Sequence, residues 1–500
     1  MDLIRTCNGS VRGFRAAAAV MAFLGIPYAA EPFGENRFRE PAPARGWDGV
    51  RECREFGPVA PQSARLPGAP WWSPGDEDVL TLNIWAPASG DGPLPVLVWI
   101  HGGAYTFGSS AQPDFDGTAL AEAGLVVVTF NHRVGFEGFG HVPPGDGPPY
   151  PENRGLLDQV AALRWVRENI GAFGGDPDNV TVAGQSSGAA SAACLMVMDR
   201  ARGLFRRVIA HSAVGPCFST ELAADITRRV AAEARVPASA SGLGSATPQA
   251  LIAASDRVAE SFREDPGSGR LHYDPVIYGP VVDGDVLPGD PLSAPPAAGP
   301  ETVDLLVCHT TQEYWLMDAV GSSAKVTTDE QLDLFAKDFR LPGELVPGYR
   351  ALMPGAPVLD VYLAVFGDLL FTEYTSRLAE RHARAGGRVF TSRFARHRAG
   401  PGGVVRPWHC ADIPFAFGNH ALRCVEFLIG GPPQDADHEL SRRMVAAWAG
   451  FAATGDPGWP AADGPTAPPH VWDTEDSPAG PGDAAARALW RHADFSPLRP

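Results

Sequence analysis

Short runs of consecutive apolar residues recur along the chain, and stretches with helical periodicity lie between them. The runs occupy positions 96–100, 125–130, 180–182, 208–210, 303–307 and 389–391. Strands that are apolar at every position are buried on both faces of a sheet. Between the second and third runs, residues 156–170 keep helical spacing, and Asn153 is predicted to cap this helix before Gly171 ends it. The pattern predicts an α/β fold with a mostly parallel, doubly wound sheet flanked by helices.

The amino-terminal segment has some features of a signal peptide. Three arginines precede an apolar run at 16–26. However, Asp2 lies in the basic part, and Gly25 and Pro27 interrupt a run that is too short to span a bilayer. We therefore predict two early strands of the fold in this segment.

The 500 residues contain no internal repeat and no long charged linker, so a single domain over 1–500 is the simplest prediction. Pro/Gly-rich passages at 142–151, 284–300, 399–404 and 460–482 are predicted to be surface loops. The segment 221–278 has a helical pattern and is inserted between strands. We expect it to form a cap above the carboxyl ends of the strands, where such sheets bind ligands.

Composition narrows the functional classes. A net charge of -17 argues against nucleic acid or anionic membranes as partners, and a chain that is 45% hydrophobic can bury a large core. The seven cysteines are odd in number and have no C-x-x-C spacing, which favours free thiols in a reducing compartment and predicts a cytoplasmic location. The thirteen histidines show no H-E-x-x-H pattern, so we assign no metal and no cofactor.

The pentapeptide Gly184-Gln185-Ser186-Ser187-Gly188 carries the clearest chemical signal. It follows an apolar strand at 180–183 and precedes a small-residue helix at 188–193. A serine on such a sharp strand-to-helix turn is strained, and the residues two before and two after it must be nearly free of side chain. The context predicts a nucleophile elbow with Ser186 at its apex.

A nucleophilic serine needs a base and a carboxylate that orients the base. Glu313 comes just after the strand predicted at 303–307. Histidine candidates after the last strand are His397, His409 and His420; His397 stands between two arginines and looks solvated, while His409 lies among Pro and aromatic residues that would fix its loop. Spacing alone leaves the choice among them open.

The anionic intermediate of acyl transfer needs backbone N–H donors. The segment His101-Gly102-Gly103-Ala104 immediately follows the strand at 96–100, and its glycines allow close backbone approach. We therefore expect the oxyanion hole to use Gly102, Gly103 and Ala104, together with the N–H of Ser187.

With these motifs the chain resembles the type-B carboxylesterases, a group of the α/β-hydrolase superfamily that includes carboxylesterases and cholinesterases. Further resembling segments lie at 11–13, 23–29, 77–84, 131–136, 153–159, 282–285, 448–451 and 454–457. The resemblance implies an α/β-hydrolase fold with helical insertions forming a cap. It also implies that Ser186 is the nucleophile, His409 the general base and then acid, and Glu313 the partner of the histidine. Ser212 matches a serine that the family often places beside these three residues.

Some positions depart from the family pattern. The family usually has Glu at Gln185 and Ala at Ser187, and its secreted members carry cysteines at Ala60 and Val79. The loss of both cysteines agrees with a cytoplasmic location. Gln185 removes a negative charge beside the nucleophile.

The resulting prediction is a serine carboxylic-ester hydrolase that works through an acyl-enzyme on small to medium neutral esters, with water as the second substrate and no cofactor. Two alternatives stay open: an amide or carbamate hydrolase on the same triad, and a non-catalytic binding protein on the same fold. Oligomeric state does not follow from the sequence. Candidate wall residues of the pocket are Phe107, Trp315, Phe415 and Phe417.

Overall fold

The computed structural model describes residues 2–64, 70–89, 92–145, 149–295, 303–400, 403–464, 468–474 and 482–500. A ten-stranded sheet runs through its centre. In chain order its strands are β1 (Phe14–Ala17), β2 (Val20–Pro27), β3 (Thr81–Pro87), β4 (Leu94–Ile100), β5 (Val126–Phe130), β6 (Gly175–Gln185), β7 (Arg207–His211), β8 (Asp304–Thr310), β9 (Val389–Phe394) and β10 (His470–Trp472).

The order across this sheet is β10-β9-β8-β7-β6-β4-β5-β3-β2-β1. Every pairing from β10 to β5 is parallel, and the three pairings that join β5, β3, β2 and β1 are antiparallel. The predicted mostly parallel sheet is therefore confirmed. The two early strands predicted in the amino-terminal segment are confirmed as β1 and β2, which form the antiparallel edge.

Helices cover both sides of the sheet. They are α1 (Thr118–Glu122), α2 (Gly135–Phe139), α3 (Arg154–Asn169), α4 (Ser187–Val197), α5 (Thr220–Glu233), α6 (Ala240–Ser245), α7 (Pro248–Glu264), α8 (Arg270–Tyr273), α9 (Trp315–Ala319), α10 (Asp329–Asp338), α11 (Leu345–Leu352), α12 (Val358–Gly367), α13 (Glu373–Arg384), α14 (Ile413–Ala416), α15 (Glu426–Ile429), α16 (Asp435–Thr454) and α17 (Gly482–Leu489). A π-helical turn, Asp368–Thr372, joins α12 to α13. Among the described residues, no helix is long and apolar enough to cross a membrane.

Side chains that alternate along the strands build one hydrophobic core on each face of the sheet. On β4, Val96, Val98 and Ile100 belong to the larger core, whereas Leu97 and Trp99 belong to the smaller one, beneath α16. This explains the unbroken apolar runs in the sequence, because a strand covered on both faces has no solvent side.

Two local predictions were wrong. Asn153 precedes α3 but does not cap it: its backbone is left-handed (φ 56°), and its side chain bonds the backbone of Val281 in both directions, at 2.7 and 2.8 Å. The two bonds to Val281 use both the nitrogen and the oxygen of the Asn153 amide, whereas a helix cap would use only the oxygen. The predicted loop at 399–404 instead includes a short antiparallel pair, Arg398–Gly400 with Gly403–Val405. Residues 146–148, 296–300, 401–402, 465–467 and 475–481 of the predicted loops lie outside the described residues.

The segment predicted as a cap is helical, comprising α5 to α8. Its longest helix, α7, packs against α5 and α2. At the end of α8, the carbonyl of Tyr273 accepts a hydrogen bond from the Tyr314 hydroxyl at 3.3 Å. Because Tyr314 directly follows Glu313, the insertion borders the region where the candidate functional residues meet.

Candidate active site

Ser186 occupies the turn between β6 and α4. Its backbone angles, φ 58° and ψ -126°, lie where L-residues are rarely found, which is the strain expected at the apex of an elbow. A Cβ on Gly184 would lie 2.5 Å from the backbone of Gly188, and a Cβ on Gly188 would lie 2.1 Å from the carbonyl oxygen of Ile100. Only glycine fits either position, so the turn brings Ser186 to the carboxyl end of the sheet beside β4.

Glu313 and His409 meet at the same end of the sheet. Glu313 follows β8 by three residues, and His409 lies in the loop before α14. His409 Nδ1 lies 2.6 Å from Glu313 Oε2, and the His409 backbone N–H donates to the Glu313 carbonyl at 3.1 Å. Both side chains are buried. The pair has the contact expected between a base and its orienting carboxylate.

The second carboxylate oxygen of Glu313 accepts two hydrogen bonds. Glu313 Oε1 accepts a hydrogen bond from the Ser212 hydroxyl at 2.6 Å and another from the Thr310 backbone N–H at 2.7 Å. Ser212 comes directly after β7, with a left-handed backbone (φ 50°) that turns its side chain toward β8. The carboxylate therefore has hydrogen-bond partners on both oxygens.

The other ring nitrogen of His409 faces the elbow. Nε2 lies 2.9 Å from the side-chain nitrogen of Gln185, the residue before Ser186. Within the described residues, Ser186 Oγ makes no hydrogen bond to His409. The amide of Gln185 therefore contacts the nitrogen that a serine nucleophile would need.

The environment of His409 raises its pKa. Burial lowers the pKa of the imidazole, but the adjacent Cys410 thiol and the Glu313 carboxylate outweigh burial and raise the pKa to about 10. Cys410 is half-buried and has a left-handed backbone, with φ 70°. No role is predicted for Cys410 from the sequence, although it directly follows His409.

Phe371 covers one face of the His409 ring. The two ring centroids are 4.1 Å apart with an interplanar angle of 33°. Phe371 is buried and belongs to the π-helical turn between α12 and α13. No sequence signal marks this contact, because 38 positions separate the two rings along the chain and the turn has no motif.

The glycine turn after β4 lies beside the elbow. Gly103 (φ 124°) and Ala104 (φ 51°) have positive φ, and a Cβ on Gly103 would lie 1.9 Å from the Phe107 carbonyl oxygen. A Cβ on Gly102 would lie 3.2 Å from the Ser186 Cβ. In the part of the chain that the structure describes, the N–H groups of Gly102, Gly103, Ala104 and Ser187 have no hydrogen-bond acceptor. The loop thus offers free donors close to Ser186.

A pair of uncharged histidines supports that loop. His101 and His132 stack with ring centroids 4.4 Å apart, and His101 Nδ1 bonds the Gly102 carbonyl at 2.9 Å. Both rings are buried. Burial lowers the pKa of His101 to about 4, and burial together with His101 lowers the pKa of His132 still more strongly.

The remaining candidates lie elsewhere. His397 is exposed, and His420 bonds His438 at 2.8 Å. Asp318, five residues after Glu313, pairs with Lys325.

Of the candidate wall residues, Phe415 and Phe417 are wholly buried in the core under α16, so their assignment to the pocket was wrong. Trp315 and Phe107 are half-buried, and the guanidinium of Arg406 lies over the Trp315 ring.

One buried cluster could be considered for a metal. Ligand atoms of His211, Cys308 and Asp412 lie within 4.8 Å of one another. However, His211 Nδ1 bonds Asp412 Oδ2 directly at 2.6 Å, so these two atoms already serve as each other's hydrogen-bond partners. The pair has a structural position: the His211 carbonyl accepts the N–H of Ser186 at 2.9 Å, and Asp412 lies three residues after His409. It joins the elbow to the histidine loop.

A mostly parallel sheet that carries a strained serine turn at its carboxyl edge has the architecture of the α/β hydrolases. The comparisons with known proteins narrow the class. The model of the carboxylesterase family matches residues 2–344 and 355–477. The chain belongs to this family and is a carboxylic-ester hydrolase.

Several relatives are similar over the whole chain or a part of it. The para-nitrobenzyl esterase of Bacillus subtilis (strain 168) is 33% identical over 486 residues, covering 95% of each protein. The phenmedipham hydrolase of Pseudarthrobacter oxydans is 45% identical over 196 residues, 38% of each chain. Among solved structures, a PNB esterase superposes with a TM-score of 0.85 at 33% identity, covering 98% of this chain and 99% of that one. The Geobacillus stearothermophilus carboxylesterase EST55 gives a TM-score of 0.84 at 36% identity, covering 98% and 100%.

Proposed function

We propose that this esterase works through an acyl-enzyme on Ser186, with His409 as general base and then general acid and Glu313 as the carboxylate that orients it. The observation that carries the proposal is the Glu313-His409 contact of 2.6 Å at the carboxyl end of the sheet, next to a serine elbow. Residues from three separate parts of the chain supply these groups.

In acylation, His409 Nε2 takes the proton of the Ser186 hydroxyl as Oγ attacks the ester carbonyl. The imidazolium then gives this proton to the leaving alcohol as the C–O bond breaks. In deacylation, water takes the place of the serine: His409 removes its proton, and the proton passes back to Ser186 Oγ when the acid product leaves. Glu313 accepts the hydrogen bond of Nδ1–H throughout, which fixes the tautomer and stabilises the imidazolium.

The N–H groups of Gly102, Gly103, Ala104 and Ser187 are proposed to receive the oxyanion. Their lack of acceptors within the described chain supports this role. Each well-placed donor contributes about 3 kcal/mol at the transition state of acyl transfer. Because glycine and left-handed backbone preform the loop, little reorganisation is needed when negative charge develops.

The proposed substrates are small to medium neutral esters. A neutral amide, Gln185, stands beside the nucleophile where a carboxylate would favour cationic alcohols. The similarity to the para-nitrobenzyl esterase over 95% of the chain also supports an uncharged aromatic ester. Water is the second substrate, and the proposal needs no cofactor.

The test combines a substrate panel with a nucleophile variant. Rates on p-nitrophenyl esters of increasing acyl length, compared with the matching anilides and carbamates, would define the preferred bond and acyl size. Ser186→Ala should lower ester turnover by several orders of magnitude and abolish covalent labelling by a fluorophosphonate, while Ser241→Ala, an exposed serine on α6, should behave like wild type. Retained labelling in Ser186→Ala would overturn the nucleophile assignment, and faster carbamate than ester turnover would overturn the substrate class.

We also propose that residues 1–500 act as one catalytic domain in the cytoplasm, without nucleic-acid or membrane partners. Support comes from the net charge and from the cysteines, all seven of which are unpaired. Ala60 and Val79 are both buried and cannot form the disulfide of secreted family members. An intact mass of the protein isolated from cells tests this, since each disulfide would lower the mass by two hydrogens.

A further inference from the structure

The contact between Gln185 and His409 has a defined hydrogen-bond direction. A carboxylate can only accept hydrogen bonds, so the 2.6 Å contact with Glu313 requires the proton of a neutral His409 ring on Nδ1. Nε2 then carries the lone pair. The partner of that lone pair, 2.9 Å away, is the side-chain nitrogen of Gln185, which can only donate.

The Gln185 side chain is buried between the His409 ring and the glycine loop. Gln185 is the last residue of β6 and is 6% exposed. A Cβ on Gly102 would lie 2.9 Å from both the carbonyl oxygen and the side-chain oxygen of Gln185. The amide is therefore held between the histidine on one side and the glycine loop on the other, with its NH₂ group toward the ring.

We propose that Gln185 is a positioning residue that disfavours the imidazolium form of His409 by donating a hydrogen bond to Nε2, so that the ring gives up its proton more readily than it would without the amide. This inference rests on the proposed function, in which neutral His409 is the base. When Ser186 gives its proton to Nε2, the new N–H faces the amide NH₂, so the amide must release the ring or turn its oxygen toward it. Gln185 thus lowers the pKa of His409 in the free enzyme, and its hydrogen bond to Nε2 breaks when the ring takes up the serine proton.

The other groups around His409 either raise its pKa or are uncharged or paired elsewhere. Glu313 on the loop after β8 and Cys410 on the histidine's own loop both favour the imidazolium. From the π-helical turn, Phe371 presents an uncharged ring, and Asp368 of the same turn bonds Tyr349. On the side of β7 and α14, His211 and Asp412 pair with each other. Among these groups, Gln185 alone donates to the ring.

The experiment follows the titration of the His409 ring directly. In a Ser186→Ala background, ¹⁵N NMR of labelled histidine gives the pKa of His409, which is assigned by the signal lost in His409→Gln. Gln185→Met keeps the length but removes the donor, and Gln185→Glu replaces the donor with a charged acceptor. We expect the His409 pKa to rise in the order Gln, Met, Glu, by about one unit or more for Glu.

A pKa that falls or does not move in Gln185→Met would overturn the proposal, because it would mean that the amide accepts from the ring or does not bond it. Gln249→Glu, in the first turn of α7, which packs against α5 and α2, is the control for an added negative charge and should leave the His409 signal unchanged. If Gln185→Glu fails to fold, the Met variant alone decides the outcome.

A second measurement connects the contact to turnover. With Ser186 present, the acid limb of kcat/KM should move to higher pH in Gln185→Met and further in Gln185→Glu, while KM changes little. The two proposals fail separately. Loss of the nucleophile assignment would show as retained turnover in Ser186→Ala, whereas failure of the present inference would show as an unmoved His409 titration in an enzyme that still depends on Ser186.

Discussion

The hydroxyl of Ser212 lies 2.6 Å from Oε1 of Glu313, the oxygen that does not face His409. The backbone N–H of Thr310 donates to the same oxygen at 2.7 Å. Two donors from different strands therefore fix the rotation of the carboxylate, so that Oε2 is directed at the ring. The orientation of the histidine depends on groups that would never touch a substrate.

Ser212→Ala should lower kcat by about 10-fold, because a hydrogen bond to a charged group typically contributes about 1.5 kcal/mol or more. The substitution leaves no large cavity, and Thr310 still holds the carboxylate. Steady-state kinetics on a p-nitrophenyl ester would measure the effect, with thermal unfolding as a check on the fold. An unchanged kcat would mean that Thr310 alone orients Glu313.

Glu313→Gln should be far more damaging, with a loss that reaches about 10⁴-fold in comparable triads. The amide keeps the shape but cannot stabilise the imidazolium, and it can favour the wrong tautomer. Asp318→Asn is the matched control: Asp318 pairs with Lys325, away from His409, and its loss should cost little activity. A larger loss for Asp318→Asn in a folded protein would contradict the assignment of the acid.

The sequence predicted the positions that depend on backbone geometry. The close approach of the backbone requires glycine at Gly184, at Gly188 and in the glycine turn. The spacing of these glycines in the sequence is therefore enough to predict the turns. Glu313 was found because it follows a strand that ends at the same edge as the elbow. Local order along the chain was enough in both cases.

Contacts between distant side chains could not be predicted in this way. Phe371 reaches His409 through a π-helical turn that no composition signal marks. Asn153 has the residue type of a helix cap, but a backbone partner 128 positions away competes for its amide. The sequence predicts Phe415 and Phe417 as pocket walls, but both are buried in the second core, on the face of the sheet beneath α16.

The pH dependence of the enzyme should reflect the raised pKa of His409. Only the neutral ring can accept the serine proton, so kcat/KM should rise with pH through a limb that lies above the ordinary histidine value of 6.5, toward the raised value of about 10. Cys410→Ala removes one of the two groups that raise the pKa and should move this limb to lower pH. A pH profile of each protein on a neutral ester measures the shift.

Two controls accompany the Cys410→Ala variant: its stability and a variant of a second cysteine. Alanine accepts the left-handed backbone at this position no worse than cysteine does, so stability should change little. Cys424→Ala, which alters an exposed thiol, should leave the limb in place. Identical limbs in wild type and Cys410→Ala would show that Cys410 does not contribute to the raised pKa of His409.

The stacked His101-His132 pair should make the fold sensitive to acid. The folded pKa of His101 is lowered to about 4 from an ordinary value of 6.5, so the unfolded chain binds a proton first as pH falls. Stability that is present above pH 6.5 should therefore be lost progressively down to the folded pKa, by on the order of 1 kcal/mol per pH unit for each ring.

Urea unfolding as a function of pH tests this prediction. His132→Phe keeps an aromatic ring without a titratable nitrogen and should flatten the loss between neutral and mildly acidic pH. His397→Gln, which changes an exposed histidine, should follow wild type. If both variants lose stability as steeply as wild type, carboxylates rather than the buried rings govern acid unfolding.

The close approach at Gly188 has a consequence for engineering. Because a methyl group there would lie 2.1 Å from the Ile100 carbonyl, the nucleophile helix and the strand that leads to the donor loop touch main chain to main chain. The separation between Ser186 and the N–H groups of residues 102–104 is thus set by contact between main chains rather than by side-chain packing. Altered acyl selectivity is therefore better sought in residues farther along the loops, since a side chain at Gly184 or Gly188 would clash with the main chain.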